Sequence, residues 1–145
     1  MAKIRSTALG LTFALLAAVP IAAAQAPVSG KAPAPLDMAA VRQYLVGTWQ
    51  NDGDPRRTRE LDADGRAFDR LVGEESDSEP GAWRVFLGSA APAQFAGSKL
   101  DPKIVYLEVD RDGDTLLYAL LQISRSQMHM VYLMQNQEIA YSRLK

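Results

Sequence analysis

The 145-residue sequence contains no cysteine and a single histidine, His129. Without cysteine the chain forms no disulfide, so a folded domain must rest on its hydrophobic core. One histidine supplies no second imidazole for a zinc site and has no evident serine or acid partner for catalysis. The sequence therefore predicts no metal site, no cofactor, no catalytic residue and no enzyme activity. We expect His129 to be a half-buried strand residue.

An excess of positive charge is also missing. The chain has 16 basic and 17 acidic residues and a formal net charge of −1. Nucleic acids and anionic membrane surfaces attract strongly basic proteins. We therefore expect neither of them as a partner.

The sequence has no long apolar run either. The apolar stretch 8–19 falls below the roughly 20 residues that a helix needs to cross a bilayer. Two basic residues precede it, Pro20 ends it, and Ala22 and Ala24 supply the small residues of a cleavage site. This pattern is typical of a secretory signal peptide over residues 1–24, with an uncleaved membrane anchor as the alternative. It predicts a periplasmic or secreted protein that keeps no membrane segment after cleavage.

A change in composition marks the start of the folded domain. Residues 25–36 hold three prolines among alanines and show no apolar period, which predicts a flexible linker. Asp37 is a suitable N-cap, and three apolar residues follow at helical spacing before Gly47. We expect a short helix here, at the beginning of a domain that covers residues 37–145.

From Gly47 onward the apolar pattern changes to a period of two, which indicates β-strands. Asp-Gly pairs at 64–65 and 112–113 lie between such runs and are typical of hairpin turns. The predicted strands cover residues 48–51, 57–62, 66–72, 82–87, 103–109, 115–123, 127–134 and 138–144. Strands at hairpin spacing behind one helix predict an all-β fold, an eight-stranded antiparallel up-and-down barrel with a short N-terminal helix.

Two short motifs resemble the lipocalin-type domains of the calycin superfamily. They are Gly47-Thr48-Trp49 directly after a helix and Arg143 on the last strand. The resemblance implies that Gly47, Trp49 and Arg143 close one end of the barrel, with the guanidinium on the indole face. It also implies that the barrel holds a small apolar or amphipathic molecule. Because the strands here are short, the alternative is an envelope protein-interaction module whose barrel is filled with side chains.

Four residues are the candidates for ligand binding. Trp83, Leu107 and Val131 are expected to point into the barrel and line the site. Tyr141 lies two positions from Arg143 and therefore shares its face. A tyrosine and an arginine together can hold a ligand carboxylate by charge-assisted hydrogen bonds. Stacking on Trp49 would engage the same guanidinium, and we favour that interpretation of Arg143.

Three arginines on neighbouring predicted strands allow two interpretations. Arg57, Arg59 and Arg70 fit a second anion site. They also fit exposed strand residues that pair with Glu60 and Asp69, and we favour this interpretation.

Methionines alternate along the predicted strand 127–134. Met128, Met130 and Met134 share one face with Tyr132. A soft, adaptable ligand wall and a packed core surface both fit this pattern. We favour the core, since the helix before Gly47 needs a surface to bury against.

The signal-peptide prediction can be tested directly. Cleavage after Ala24 would leave Gln25 at the N-terminus of the exported protein, because the small residues Ala22 and Ala24 are those that the cleaving enzyme recognises. N-terminal sequencing of secreted or periplasmic material should therefore begin at Gln25. Recovery of the intact N-terminus, starting at Met1, would contradict the predicted localisation.

Overall fold

The structure, a computed structural model, describes residues 36–73 and 79–145. The predicted signal peptide and nearly all of the predicted linker lie outside these residues. Within them the chain forms a helix and eight strands. The elements are α1 (Met38–Leu45), β1 (Gly47–Asn51), β2 (Arg57–Leu61), β3 (Arg66–Leu71), β4 (Gly81–Leu87), β5 (Val105–Arg111), β6 (Asp114–Ile123), β7 (Gln127–Tyr132) and β8 (Gln137–Arg143).

Helix α1 begins where its predicted N-cap lies. One carboxylate oxygen of Asp37 accepts hydrogen bonds from the backbone N–H groups of Ala39, at 3.0 Å, and Ala40, at 3.2 Å. These donors have no partner inside a helix, so the cap satisfies them. Val41 and Leu45, four residues apart on one face, are the buried residues of α1. They bind the helix to the barrel core.

The strands pair antiparallel in chain order, and β1 also pairs with β8. The sheet is therefore a closed barrel, and the predicted fold class is confirmed. At the β5–β6 turn both Asp112 (φ 52°) and Gly113 (φ 86°) have a positive φ. A two-residue hairpin of this twist needs positive φ at both positions, and Asp-Gly is among the sequences that adopt it most readily.

Arg143 connects the two strands that close the barrel. It lies opposite Trp49 in the β1–β8 pair, and its guanidinium carbon is 4.1 Å from the centroid of the indole ring. Its Nε donates to the carbonyl of Arg125 and its Nη1 to that of Val46, both at 2.6 Å, and its Nη2 donates to the carbonyl of Tyr44. One side chain thus joins the last strand to the first strand, the end of α1 and the β6–β7 turn.

Gly47 makes room for that arginine. A Cβ atom at this position would lie 2.1 Å from Nη1 of Arg143, and the backbone has a φ of 141°. Both the close approach and the backbone angle require glycine.

The barrel interior near α1 is filled with apolar side chains. Trp49, Leu107, Met128 and Met130 are fully or almost fully buried in one cluster that also contains residues of α1. The core interpretation of the methionines therefore holds for Met128 and Met130. Met134 lies beyond the end of β7 and is 77% exposed.

Part of the barrel's outer face is also apolar, because the chain covers it. Between β4 and β5 an outer loop, residues 88–104, contains two short 3₁₀ helices. Its residues Phe95 and Leu100 pack on Phe86 and Tyr106 of the outer face. Strand β6 is apolar on both faces in the sequence, and its middle, residues 117–119, is accordingly buried on both sides.

Two expectations for β7 are wrong. Val131, expected inside the barrel, packs on the outer face with the cluster under the outer loop. Since Met128 and Met130 point inward, strand alternation directs Val131 outward. His129, expected to be half-buried, lies on that outer face as well and is exposed.

A buried charge also lies on the outer face. The Glu108 carboxylate is 2% exposed and accepts a hydrogen bond from Nε2 of Gln94 in the outer loop, at 2.7 Å. Nε and Nη2 of Arg84, on the neighbouring strand, donate to its two oxygens. This pairing satisfies the carboxylate and fixes the outer loop to β5.

The Trp49–Arg143 contact can be measured by a double-mutant cycle. Arg143→Lys keeps the charge but loses the planar fork and its carbonyl contacts, so it should reduce the free energy of unfolding by about 2–3 kcal/mol. Trp49→Phe should cost about 2 kcal/mol. The double variant should lose less than the two costs together, with a coupling energy of about 0.5–1 kcal/mol from chemical denaturation.

The matched control for this cycle is Arg125→Lys. The side chain of Arg125 is exposed, so this substitution should change stability by no more than about 0.5 kcal/mol. Strictly additive costs for Trp49 and Arg143 would mean that the stacked geometry does not stabilise the barrel.

Candidate functional site

A cavity of about 710 Å³ lies at the end of the barrel opposite α1. The helix leads straight into the start of β1, and Nη2 of Arg42 in α1 donates to the carbonyl of Ala63 in the β2–β3 turn at 3.1 Å. Both therefore lie at one end, the helix end. The cavity is lined instead by the β1–β2 turn, at Asn51, Gly53 and Asp54, and by residues near the β5–β6 and β7–β8 turns. We call this second end the open end.

The cavity wall is amphipathic. Its apolar side chains come from β3, β6 and β8, namely Leu71, Leu116 and Ile139. Aromatic rings with hydroxyl groups stand between them, at Tyr118 and Tyr141. The described part of the wall also holds four arginines and three acidic residues, which are Arg57, Arg59, Arg70, Arg111, Asp54, Asp69 and Glu138.

Arg59, which is buried, and Asp69, which is half-buried, form an ion pair in this wall. They lie opposite each other in the β2–β3 pair. Nε and Nη2 of Arg59 each donate to a different carboxylate oxygen of Asp69, both at 2.7 Å. Arg59 is 4% exposed. From β5, Nη1 of Arg111 also donates to Asp69, at 3.3 Å.

Each charge holds the other in its ionised form. Burial lowers the pKa of Arg59, but the hydrogen bonds and charge of Asp69 outweigh burial and raise that pKa above its ordinary value. Burial also raises the pKa of the Asp69 carboxyl, and the hydrogen bonds and charges of Arg59 and Arg111 outweigh it, so the pKa lies below 3.8. The pair is therefore charged across the physiological range.

Tyr118 completes the cluster. Its hydroxyl accepts a hydrogen bond from Nη2 of Arg59 at 3.2 Å, and the guanidinium carbon lies 5.0 Å from the centre of its ring. Burial raises the pKa of Tyr118 more than the Arg59 charge lowers it. The phenol thus keeps its proton, which it can donate to another acceptor.

One donor of this cluster is left over. Nη1 of Arg59 is buried and has no hydrogen-bond partner within residues 36–73 and 79–145. A buried donor without an acceptor costs free energy, and more so on a charged group. The residue nevertheless lines the cavity.

The structure separates the four predicted ligand residues. Trp83 and Leu107 are buried in the filled core near α1, where the indole N–H of Trp83 donates to the carbonyl of Asp62 at 2.9 Å. Val131 lies outside the barrel. Tyr141 lines the cavity, and Arg143 is engaged by Trp49 at the helix end, which is the favoured interpretation of that arginine.

The three strand arginines also separate. Arg70 is exposed and pairs with Glu60 at 3.3 Å, as favoured, whereas Arg59 points inward and is buried, so its expected exposure is wrong. A sequence signal for this existed. Arg59 and Leu61 share one face of β2, and Leu61 is a core residue, so the alternation places Arg59 inside as well.

Comparisons with known proteins give no relative. The chain matches no protein-family model, no curated protein and no solved structure. No helix among the described residues is long and apolar enough to cross a bilayer. Over the same part of the chain, no group of three or more histidine or acidic side chains is arranged to hold a metal ion.

The ion pair predicts a pH dependence of stability. Because the pKa of Asp69 is lower in the folded state, its carboxylate stabilises the fold above the unfolded pKa. That contribution is lost as the pH falls below about 4 and through the folded pKa. The difference in the free energy of unfolding between the wild type and Asp69→Asn should therefore shrink from pH 5 to about pH 2.

Urea denaturation at each pH measures this difference. Asp52→Asn, an exposed residue of the β1–β2 turn, is the control, and its difference from the wild type should stay nearly constant. An Asp69→Asn difference that did not depend on pH would contradict the pairing.

Proposed function

We propose that this protein is an exported, lipocalin-like binding protein that holds a small amphipathic molecule in the open end of its barrel. It acts without catalysis, in the periplasm or outside the cell. The observation that carries the proposal is the cavity of about 710 Å³ at the open end of the barrel. Small-molecule sites in proteins typically have volumes of about 300–1,000 Å³.

The composition of the wall supports an amphipathic rather than a purely apolar ligand. Leu71, Leu116 and Ile139 offer surface to an apolar part, while Arg59 and Tyr141 offer polar contacts. Polar groups fix the orientation of a ligand in such a site, and this wall, with four arginines and three acidic residues, is rich in them. A molecule with one polar end can satisfy both kinds of surface at once.

The filled core supports the same division of the barrel. Around Trp49 and Met130 the interior is occupied by side chains, and the same apolar cluster extends to Tyr118 and Tyr141 of the cavity wall. In the described part of the barrel the space for a ligand therefore lies on the open-end side of these two tyrosines, while the packed cluster behind them stabilises the fold.

A neutral fluorescent molecule tests this proposal. N-phenyl-1-naphthylamine brightens in apolar surroundings and carries no charge that the arginines would attract. The wild type should bind it saturably at one site. Ile139→Trp places a larger side chain in the cavity wall and should weaken binding about tenfold or more while the barrel stays folded by circular dichroism.

The control places the same side chain outside. Leu121 lies on β6 and is 55% exposed, so Leu121→Trp should leave binding unchanged. Native mass spectrometry of protein purified from its own host should also show a retained small molecule. If the wild type bound no dye and retained nothing, the proposal would fail, and an envelope protein-interaction module would be the better function.

A further inference from the structure

We infer that the open-end cavity recognises the carboxylate of a monoanionic amphipathic molecule through Arg59, Tyr118 and Arg111. This inference rests on the proposed function and names the class of its ligand. It assigns the anion site to β2, β5 and β6, and not to the Tyr141–Arg143 pair that the sequence suggested.

Arg59 carries an unpaired hydrogen-bond donor within the described residues. Arg59 directs two of its nitrogens at Asp69 and leaves Nη1 buried without an acceptor in the described part of the protein. A guanidinium so constrained is already ordered, so an arriving acceptor would order no further side chain. A carboxylate oxygen is the acceptor that forms the strongest hydrogen bonds with it.

The wall around Arg59 carries more positive than negative charge. Both Arg59 and Arg111 donate to the same carboxylate, that of Asp69. Arg111 also pairs with Asp112, at 3.4 Å, outside the cavity lining. Among the residues that line the partly enclosed cavity, four arginines stand against three acidic residues, which leaves one positive charge in excess. Electrostatic attraction is stronger in such a site than in water. The excess corresponds to one charge, which a monoanion balances.

A neutral hydrogen-bond donor, the Tyr118 hydroxyl, lies beside this charge. The Tyr118 hydroxyl already accepts from Arg59 at 3.2 Å, so its own proton is directed elsewhere. A phenol and a guanidinium side by side can donate to the two oxygens of one carboxylate. A phosphate monoester carries about −1.5 to −2 charges and would exceed the local charge.

Four ligands with the same ten-carbon chain test the inference, each competing with N-phenyl-1-naphthylamine on the intact domain. They are decanoate, decyl phosphate, 1-decanol and decyltrimethylammonium. We expect decanoate to bind about tenfold more tightly than decanol, since hydrogen bonds to a charged group contribute about that factor. Decyl phosphate should bind less tightly than decanoate, and the cationic amphiphile should bind most weakly.

The variants separate recognition from folding. Tyr118→Phe keeps the ring and Arg111→Gln removes a side chain that is 41% exposed, so both should stay folded. Each should reduce the preference for decanoate over decanol about three- to tenfold, because the carboxylate loses a charge-assisted hydrogen bond that the neutral alcohol does not form. Arg125→Gln and Tyr44→Phe, exposed residues away from the cavity wall, are the matched controls and should leave the preference intact.

The outcomes distinguish the two proposals. Equal binding of decanoate and decanol would overturn the anion site and leave the binding function standing. A preference for decyl phosphate would overturn the monoanion assignment. Failure of all four ligands and of the dye to bind would overturn both. A preference for decanoate that survived Tyr118→Phe and Arg111→Gln would show that the carboxylate is recognised elsewhere.

Discussion

The fold depends on the pairing of the first and last strands, which the side chain of Arg143 reinforces. A barrel without this closure would be a twisted sheet with two unpaired edges. Arg143 stacks on Trp49, and its donors reach the carbonyls of Tyr44, Val46 and Arg125. Because two of those carbonyls lie at the end of α1, the same contact fixes the helix that covers the interior. The same side chain therefore helps to close the barrel and holds the helix over its end.

At the open end a different kind of interaction holds the wall. The Arg59–Asp69 pair joins β2 to β3, and Arg111 adds β5. In the residues described, the register between β3 and β4 is limited to two residue pairs, which begin at Arg66 and Ala82. The ion pairs thus connect β3 to β5 across β4, near the place where backbone pairing is short. The charges position the wall of the cavity as well as lining it.

Local signals in the sequence predicted most of the fold. The cap at Asp37 and the Asp-Gly turn at 112–113 depend on neighbouring residues alone, and both are present. The inward or outward direction of a strand residue depends on distant parts of the chain. Val131 is apolar because the outer loop covers it, and no pattern within its own strand reveals that cover. The charge of Arg59 predicts exposure, but its alternation with Leu61, a core residue, places it inside.

The proposed recognition of an anion accounts for the Arg59–Asp69 pair better than stability does. Replacing a buried ion pair with apolar side chains of similar size is often neutral or stabilising, because desolvation offsets the attraction between the charges. The apolar cluster around Trp49, Leu107 and Met130 already gives the barrel its core at the helix end. Stability alone therefore does not require Arg59 and Asp69 inside the barrel. A site that binds an anion does require a cation held in place by a partner that leaves one of its donors free, and Nη1 of Arg59 meets that condition within the described chain.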